Sequence, residues 1–84
     1  MKLKIIVDND LEEFHGKISF KTYEKMPEDK RPKLTDNDYF YLGDPNYRHI
    51  IIQINRNIVE DENIIYLHES GKKLFYSDSN FIEI

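Results

Sequence analysis

The chain has 84 residues, of which 39% are hydrophobic and 33% charged, with a net charge of −4 and no cysteine. This length suits one domain with a thin core, and the aromatic content is too high for a disordered segment. The composition excludes disulfides, thiolate nucleophiles and cysteine-ligated zinc, and no apolar run approaches the roughly 20 residues of a membrane span. We therefore expect one cytoplasmic domain over residues 1–84.

The residue types favour β-structure. Ile, Phe and Tyr dominate the apolar residues, and alanine is absent. Branched and aromatic side chains fit a pleated sheet, whereas helical bundles rely on Ala and Leu. The charge is uneven, because residues 1–33 hold eight basic and seven acidic side chains and residues 34–84 hold four and nine. The acidic second part disfavours nonspecific nucleic-acid binding there.

The first strand is predicted at the N-terminus, where Leu3, Ile5 and Val7 alternate with more polar neighbours. The next segment has Asp and Glu at a capping-box spacing and then Gly16 as a stop signal. This pattern predicts one short helix near residues 10–15.

The following segment supports two interpretations. Apolar and polar residues alternate over 17–24, which predicts a second strand, and a single helix over 10–26 is the alternative. Two prolines and seven charged residues then fill 25–37. We predict a long charged loop there.

A run of stronger signals begins at residue 38. We predict a third strand over 38–42, a turn over 43–46 and a fourth strand over 47–55, in which three isoleucines share one face. Acidic residues form the next turn, and a fifth strand is expected over 64–68. Ser70 and Gly71 would form a tight hairpin.

The remaining residues predict a sixth strand over 74–77 and an extended end over 81–84. The last fifty residues resemble the layout of an SH3-like small barrel, with hairpins followed by a short turn and a final strand. The predicted fold is mainly β, or β-rich α+β. It is a small SH3-like barrel or sandwich of five to six short antiparallel strands.

Few residues suggest chemistry. His49 and His68 would face each other if the fourth and fifth strands paired around the intervening turn, and two imidazoles there could hold a metal. Two polar residues on a solvated face explain the pair better. No nucleophile elbow and no glycine-rich phosphate loop are present. We therefore predict no enzymatic activity, no metal site and no cofactor.

Tyrosines and carboxylates suggest protein binding. Two tyrosines of the third strand point outward if Phe40 and Leu42 point inward, and tyrosine is enriched in binding hot spots. We predict a non-catalytic protein-binding module, such as a small acidic inhibitor of phage or mobile-element type that occludes a basic or nucleic-acid-binding surface of a larger protein. The expected partner-binding residues are Tyr39, Tyr41, Asp44, Tyr47, Glu60, Asp61 and Glu62.

Two other functions stay open. A nucleic-acid-binding small barrel would use a lysine face, if the first two strands pair, made of Lys2, Lys4, Lys17 and Lys21 with Tyr23 beside them. A sponge for a small metabolite or nucleotide would bind its ligand at an oligomer interface, since one chain has little interior. Exposed strand edges also permit a homodimer.

Overall fold

Six strands and two short helices are present in the computed structural model, which describes residues 1–57 and 63–84. The strands are β1 Lys2–Val7, β2 His15–Ser19, β3 Tyr39–Gly43, β4 His49–Asn55, β5 Ile64–Leu67 and β6 Phe81–Glu83, and the helices are α1 Phe20–Lys25 and α2 Glu69–Phe75. The strands form one curled, half-barrel sheet in the order β3-β4-β2-β5-β1-β6. The prediction of a mainly β fold of the small-barrel kind is confirmed.

The core lies on one face of this sheet. Alternate residues of the strands are buried there, including Leu3 in β1 and Ile50 in β4. Both helices pack on the same face, since the Tyr23 ring of α1 lies 5.8 Å from the ring of Phe40 and Gly71 of α2 lies against the Ile50 side chain. The opposite face of the sheet therefore carries neither helix.

The strand pairing differs from the antiparallel arrangement that the sequence predicted. Strands β3 and β4 form the expected antiparallel hairpin, but β2 pairs with β4 in parallel and β1 pairs with β5 in parallel. Strand β2 lies between β4 and β5, and the long segments that join the parallel strands give the chain room to cross over.

The predictions for residues 10–26 were wrong in detail. The segment predicted as a helix over 10–15 is irregular and turn-like up to residue 14, and His15 begins β2. The strand predicted over 17–24 ends at Ser19. Ser19 ends the strand because its hydroxyl accepts a hydrogen bond from the Thr22 N–H at 3.1 Å, which caps α1. The single-helix alternative is therefore also wrong.

The hairpin at Ser70 and Gly71 and the strand predicted over 74–77 were wrong. Ser70 and Gly71 both lie inside α2. The segment predicted as a strand over 74–77 consists of the end of α2 and the residues that follow it. The His68 ring caps this helix by accepting a hydrogen bond from the Ser70 N–H at 3.0 Å. Because Gly71 has no side chain, α2 can approach Ile50 closely. The glycine that predicts a turn in the sequence therefore allows helix packing in the structure.

The segment between α1 and β3 contains neither helix nor strand. It is nevertheless attached to the core, because Met26 is buried and the Arg31 guanidinium donates hydrogen bonds to the carbonyl oxygens of Glu24 and Met26. The Tyr23 hydroxyl also donates to the Pro32 carbonyl oxygen at 2.7 Å.

Candidate functional site

The face of the sheet without helices is the candidate functional site, which we call the open face. The strand register places five of its side chains in one row that crosses from β3 to β1. This row consists of Tyr39, Gln53, Lys17, Tyr66 and Ile6. A second row beside it holds Tyr41, Ile51 and His15. Most of these side chains are half-buried, so the face presents aromatic and aliphatic surface that is only partly solvated.

Two tyrosines and a histidine form a cluster at the β3 side of the open face. The rings of Tyr39 and Tyr41 meet edge to face with centroids 5.5 Å apart, and Tyr41 meets His49 at 5.1 Å. The two hydroxyl oxygens are 3.4 Å apart. The hydrogen bond to Tyr39, followed by partial burial, raises the pKa of Tyr41, so the hydroxyl stays protonated at neutral pH. The cluster is thus a pre-formed aromatic surface with polar tips.

Two other expected partner-binding residues lie in the turn that joins β3 to β4. Tyr47 is 80% exposed and lies in the β3–β4 turn with Asp44, whose carboxylate accepts a hydrogen bond from the Asn46 N–H. Glu60, Asp61 and Glu62 fall outside the described residues. The structure therefore brings Tyr39 and Tyr41 together and places Tyr47 in the adjoining turn.

Two further carboxylates are already paired within the chain. Asp38 lies 2.9 Å from the Arg56 guanidinium, and Glu69 lies 2.8 Å from the Lys73 ammonium group. Hydrogen bonds from these cations lower the pKa of both carboxyl groups. Such exposed pairs are worth little in stability, but they reduce the charge that either carboxylate offers to a partner.

Three of the four predicted lysines share the open face, although β5 separates β1 from β2. Lys2 and Lys4 lie on β1, and Lys17 lies on β2 with its ammonium group 3.2 Å from an Asp8 carboxylate oxygen. Lys21 lies on α1, on the other side of the sheet. Tyr23 was wrongly placed beside these lysines, because its ring is 8% exposed and packs in the core.

Basic and aromatic side chains do meet on the open face. The Lys2 ammonium lies 5.5 Å from the centroid of the Phe81 ring, which is 49% exposed, and Lys17 lies 5.1 Å from the Tyr66 ring. Phe81 comes from β6, and its pairing with Lys4 could not be read from the local sequence pattern. The aromatic residues beside the predicted lysines are therefore Phe81 and Tyr66, and not Tyr23.

The predicted pairing of His49 with His68 was wrong. Strand β2 separates β4 from β5, and His68 caps α2 through its ring nitrogen Nδ1. His15 lies on the open face with its Nε2 atom 3.7 Å from the Glu12 carboxylate. Within residues 1–57 and 63–84, no group of three or more metal-binding side chains converges.

Two concavities adjoin the open face. The larger has a volume of about 540 Å³, and its lining includes Lys17, Gln53, Asn55, Asp10 and Arg56. The smaller, of about 310 Å³, lies near the β3–β4 turn and is lined by Phe14, Tyr47, Arg48, His49 and Leu74. Sequence analysis missed Phe14, because nothing in its neighbourhood indicates that the ring is exposed.

Neither helix of the described part of the chain has the length and apolar character needed to cross a membrane. Comparison with family models, with curated protein sequences and with solved structures gave no match for this chain. The functional argument therefore depends on the geometry of the site alone.

Proposed function

We propose that this chain is a non-catalytic protein-binding domain whose open face docks onto a larger protein. The observation that carries the proposal is the aromatic and aliphatic surface on the sheet face that lies opposite both helices. Tyr39, Tyr41 and Ile51 are half-buried there, on regular strands. Tyrosine held in a fixed conformation loses little entropy on binding, which is why it is enriched in hot spots.

The size of the open face suits a stable interface. Six strands give five spacings of about 4.8 Å, so the sheet is about 24 Å wide. A standard interface covers about 800 Å² on each partner, or about one seventh of the 5492 Å² surface of this chain. One face and its rim can supply that area without the helices.

The finer proposal is that the domain acts as a small acidic inhibitor. Its net charge of −4 favours a partner with a basic surface, such as a nucleic-acid channel, because complementary charge speeds encounter and orients the partner. Asp44 and the undescribed residues Glu60, Asp61 and Glu62 would supply the charge. The β3–β4 side of the open face, which lies far from the lysines of β1, would supply the apolar contact. Occlusion of the partner's surface requires no catalysis.

A capture experiment tests the docking surface. Tagged wild-type protein, Ile51→Lys and Ser77→Lys are used to capture proteins from a lysate of the source organism, with and without nuclease. Ile51→Lys places a charge beside Tyr41 on the open face, and Ser77→Lys adds the same charge on the exposed loop after α2. We expect wild type and Ser77→Lys to retain one nuclease-resistant partner that Ile51→Lys loses. Equal capture by all three folded proteins would contradict the proposal.

The inhibitor proposal has its own test. Replacing Glu60, Asp61 and Glu62 together with Gln, Asn and Gln should weaken capture of the identified partner and flatten its dependence on salt, because exposed charges act over about 10 Å at 0.1 M salt. The matched control also removes three negative charges, by replacing the exposed residues Glu28, Asp29 and Asp78 with their amides. Unchanged salt dependence in the first variant would eliminate the acidic contact while leaving the docking surface untested by this change.

The nucleic-acid alternative is favoured by one observation, the contact of Lys2 with the exposed Phe81 ring. In proteins that bind single-stranded nucleic acid, an exposed aromatic ring stacks on a base and a nearby cation contacts the phosphate. Phe81 and Lys2 have this arrangement on the open face. Gel-shift titration of single-stranded DNA and RNA at 50 and 200 mM salt separates the two functions, since phosphate-driven binding weakens steeply as salt rises. Salt-sensitive binding that Phe81→Ser abolishes would favour this alternative.

A further inference from the structure

The smaller concavity, which we call the turn pocket, lies at the end of the sheet beside the β3–β4 turn. Its lining combines apolar side chains from three parts of the chain, Phe14, Tyr47 and Leu74, with the basic or polar groups of Arg48 and His49. The volume of about 310 Å³ is at the lower end for ligand pockets. It fits one large side chain rather than an extended ligand.

The backbone of Phe14 is held in an unusual conformation at this pocket. Its φ angle is 59°, in the left-handed region that residues with a Cβ rarely adopt. Two tertiary hydrogen bonds maintain it: the Phe14 N–H donates to the Ser70 hydroxyl at 2.8 Å, and the Phe14 carbonyl oxygen accepts from the Ile51 N–H at 3.0 Å. The ring is nevertheless 44% exposed, so this strain does not serve to bury it. Strain of this kind collects at ligand-binding positions.

The charge of the lining is positive. Among the described residues that line the pocket there is no carboxylate, and Arg48 carries a permanent charge. No ion pair joins Arg48 to another described residue, and its guanidinium lies 6.0 Å from the exposed Tyr47 ring. The Nδ1 atom of His49 is buried without a hydrogen-bond partner in the described part of the chain. The pocket thus offers apolar surface beside a cation that no described residue neutralises through an ion pair.

We infer that the turn pocket is a second binding site, which takes an acidic peptide by inserting a hydrophobic side chain between Phe14 and Tyr47 while a neighbouring carboxylate pairs with Arg48. The inference is independent of the open face, because the two sites share only His49, whose ring also meets Tyr41. An apolar anchor with a charged group at the rim is the usual organisation of a peptide pocket. The charge of Arg48 selects acidic over basic partners.

Peptide titration followed by NMR tests the site. Isotopically labelled protein is titrated with the capped pentapeptides Gly-Asp-Phe-Asp-Gly, Gly-Lys-Phe-Lys-Gly and Gly-Asp-Ser-Asp-Gly. We expect the first to cause saturable shifts at the amides of Phe14, Tyr47, His49 and Leu74, and to bind at least about 10-fold more tightly than the others. Equal binding of the lysine peptide, or no saturable shift at these amides, would overturn the inference. Equal binding of octanoate would overturn the assignment to a peptide.

Two variants separate the roles of ring and charge. Phe14→Gly removes the ring and keeps a residue that adopts the left-handed backbone readily, and we expect at least about 10-fold weaker peptide binding in a folded protein. Arg48→Gln should weaken the acidic peptide about 3- to 10-fold and remove its dependence on salt. If both variants bind as wild type does, the inference is wrong. Capture through the open face should persist in both, so failure here is distinguishable from failure of the proposed function.

Discussion

Substitution of Gly16 by alanine should destabilise the fold strongly, although the change adds one methyl group. Gly16 lies in β2 between β4 and β5, with its missing side chain directed to the core. A Cβ atom there would lie 2.6 Å from the Tyr66 carbonyl oxygen and 2.7 Å from a methyl carbon of Leu67. The carbonyl cannot move away freely, because it belongs to the backbone of the neighbouring strand.

The magnitude follows from two opposing effects. Overpacking of a well-packed core costs about 1–3 kcal/mol or more, while alanine reduces the entropy of the unfolded chain and returns about 0.4–1 kcal/mol. We expect a net loss of about 0.5–2.5 kcal/mol in the free energy of unfolding. A domain of this size has about 4–13 kcal/mol in total, so the melting temperature should fall by about 2–20 °C.

Gly71→Ala is the matched control, because it makes the same chemical change in α2. Its Cβ would lie 3.3 Å from the terminal methyl carbon of Ile50, which can shift, and alanine stabilises a helix over glycine by about 1 kcal/mol. Urea unfolding monitored by far-ultraviolet circular dichroism gives the free energy of unfolding of each variant. The two values are compared provided that the m-value, the slope of this free energy against urea concentration, is the same in both variants. If Gly16→Ala proves as stable as Gly71→Ala, the close approach of β2 to β5 is wrong.

Three other changes have defined outcomes. Ser19→Ala should lower the free energy of unfolding by about 1–2 kcal/mol in urea melts, because α1 loses the cap on the Thr22 N–H. Phe14→Gly should change it by less than about 1 kcal/mol, since relief of the left-handed backbone offsets the lost ring contacts, whereas Phe14→Ala should destabilise clearly. NMR titration should place the pKa of Asp38 below its ordinary value and should return it in Arg56→Gln. Because the folded pKa is the lower one, the stability this pair contributes is present above about pH 4 and is lost as the pH falls through the folded value.

Local alternation predicted the strands whose partners follow directly in the chain. The isoleucines of β4 and the turn at 43–46 specify the β3–β4 hairpin, and the structure has it in the expected place. The facing of Tyr39 and Tyr41 opposite Phe40 follows from the same period of two. These residues make up the part of the candidate site that sequence reasoning could reach.

Partners far apart in the chain could not be predicted in this way. The sequence of β2 contains nothing that specifies insertion between β4 and β5, and without that insertion His49 and His68 seemed to be neighbours. The local pattern predicts a stop at Gly16 and a turn at Gly71, whereas in the structure both glycines allow close packing. A local pattern gives the conformations that a residue permits, and only tertiary contacts select among them.

The order of the strands has a consequence for how the domain folds. Among the described strands, only β3 and β4 are consecutive in the chain and paired with each other. Strand β1 must find β5, as in the pairing of Lys4 with Ile64, and β2 must find β4. Because these partners are far apart in the sequence, the contact order is high. Each pairing requires closing a long loop, and this costs conformational entropy before the strands make stabilising contacts. We expect single-exponential refolding on the scale of milliseconds to seconds, in which the local β3–β4 hairpin can form before the distant strand pairings.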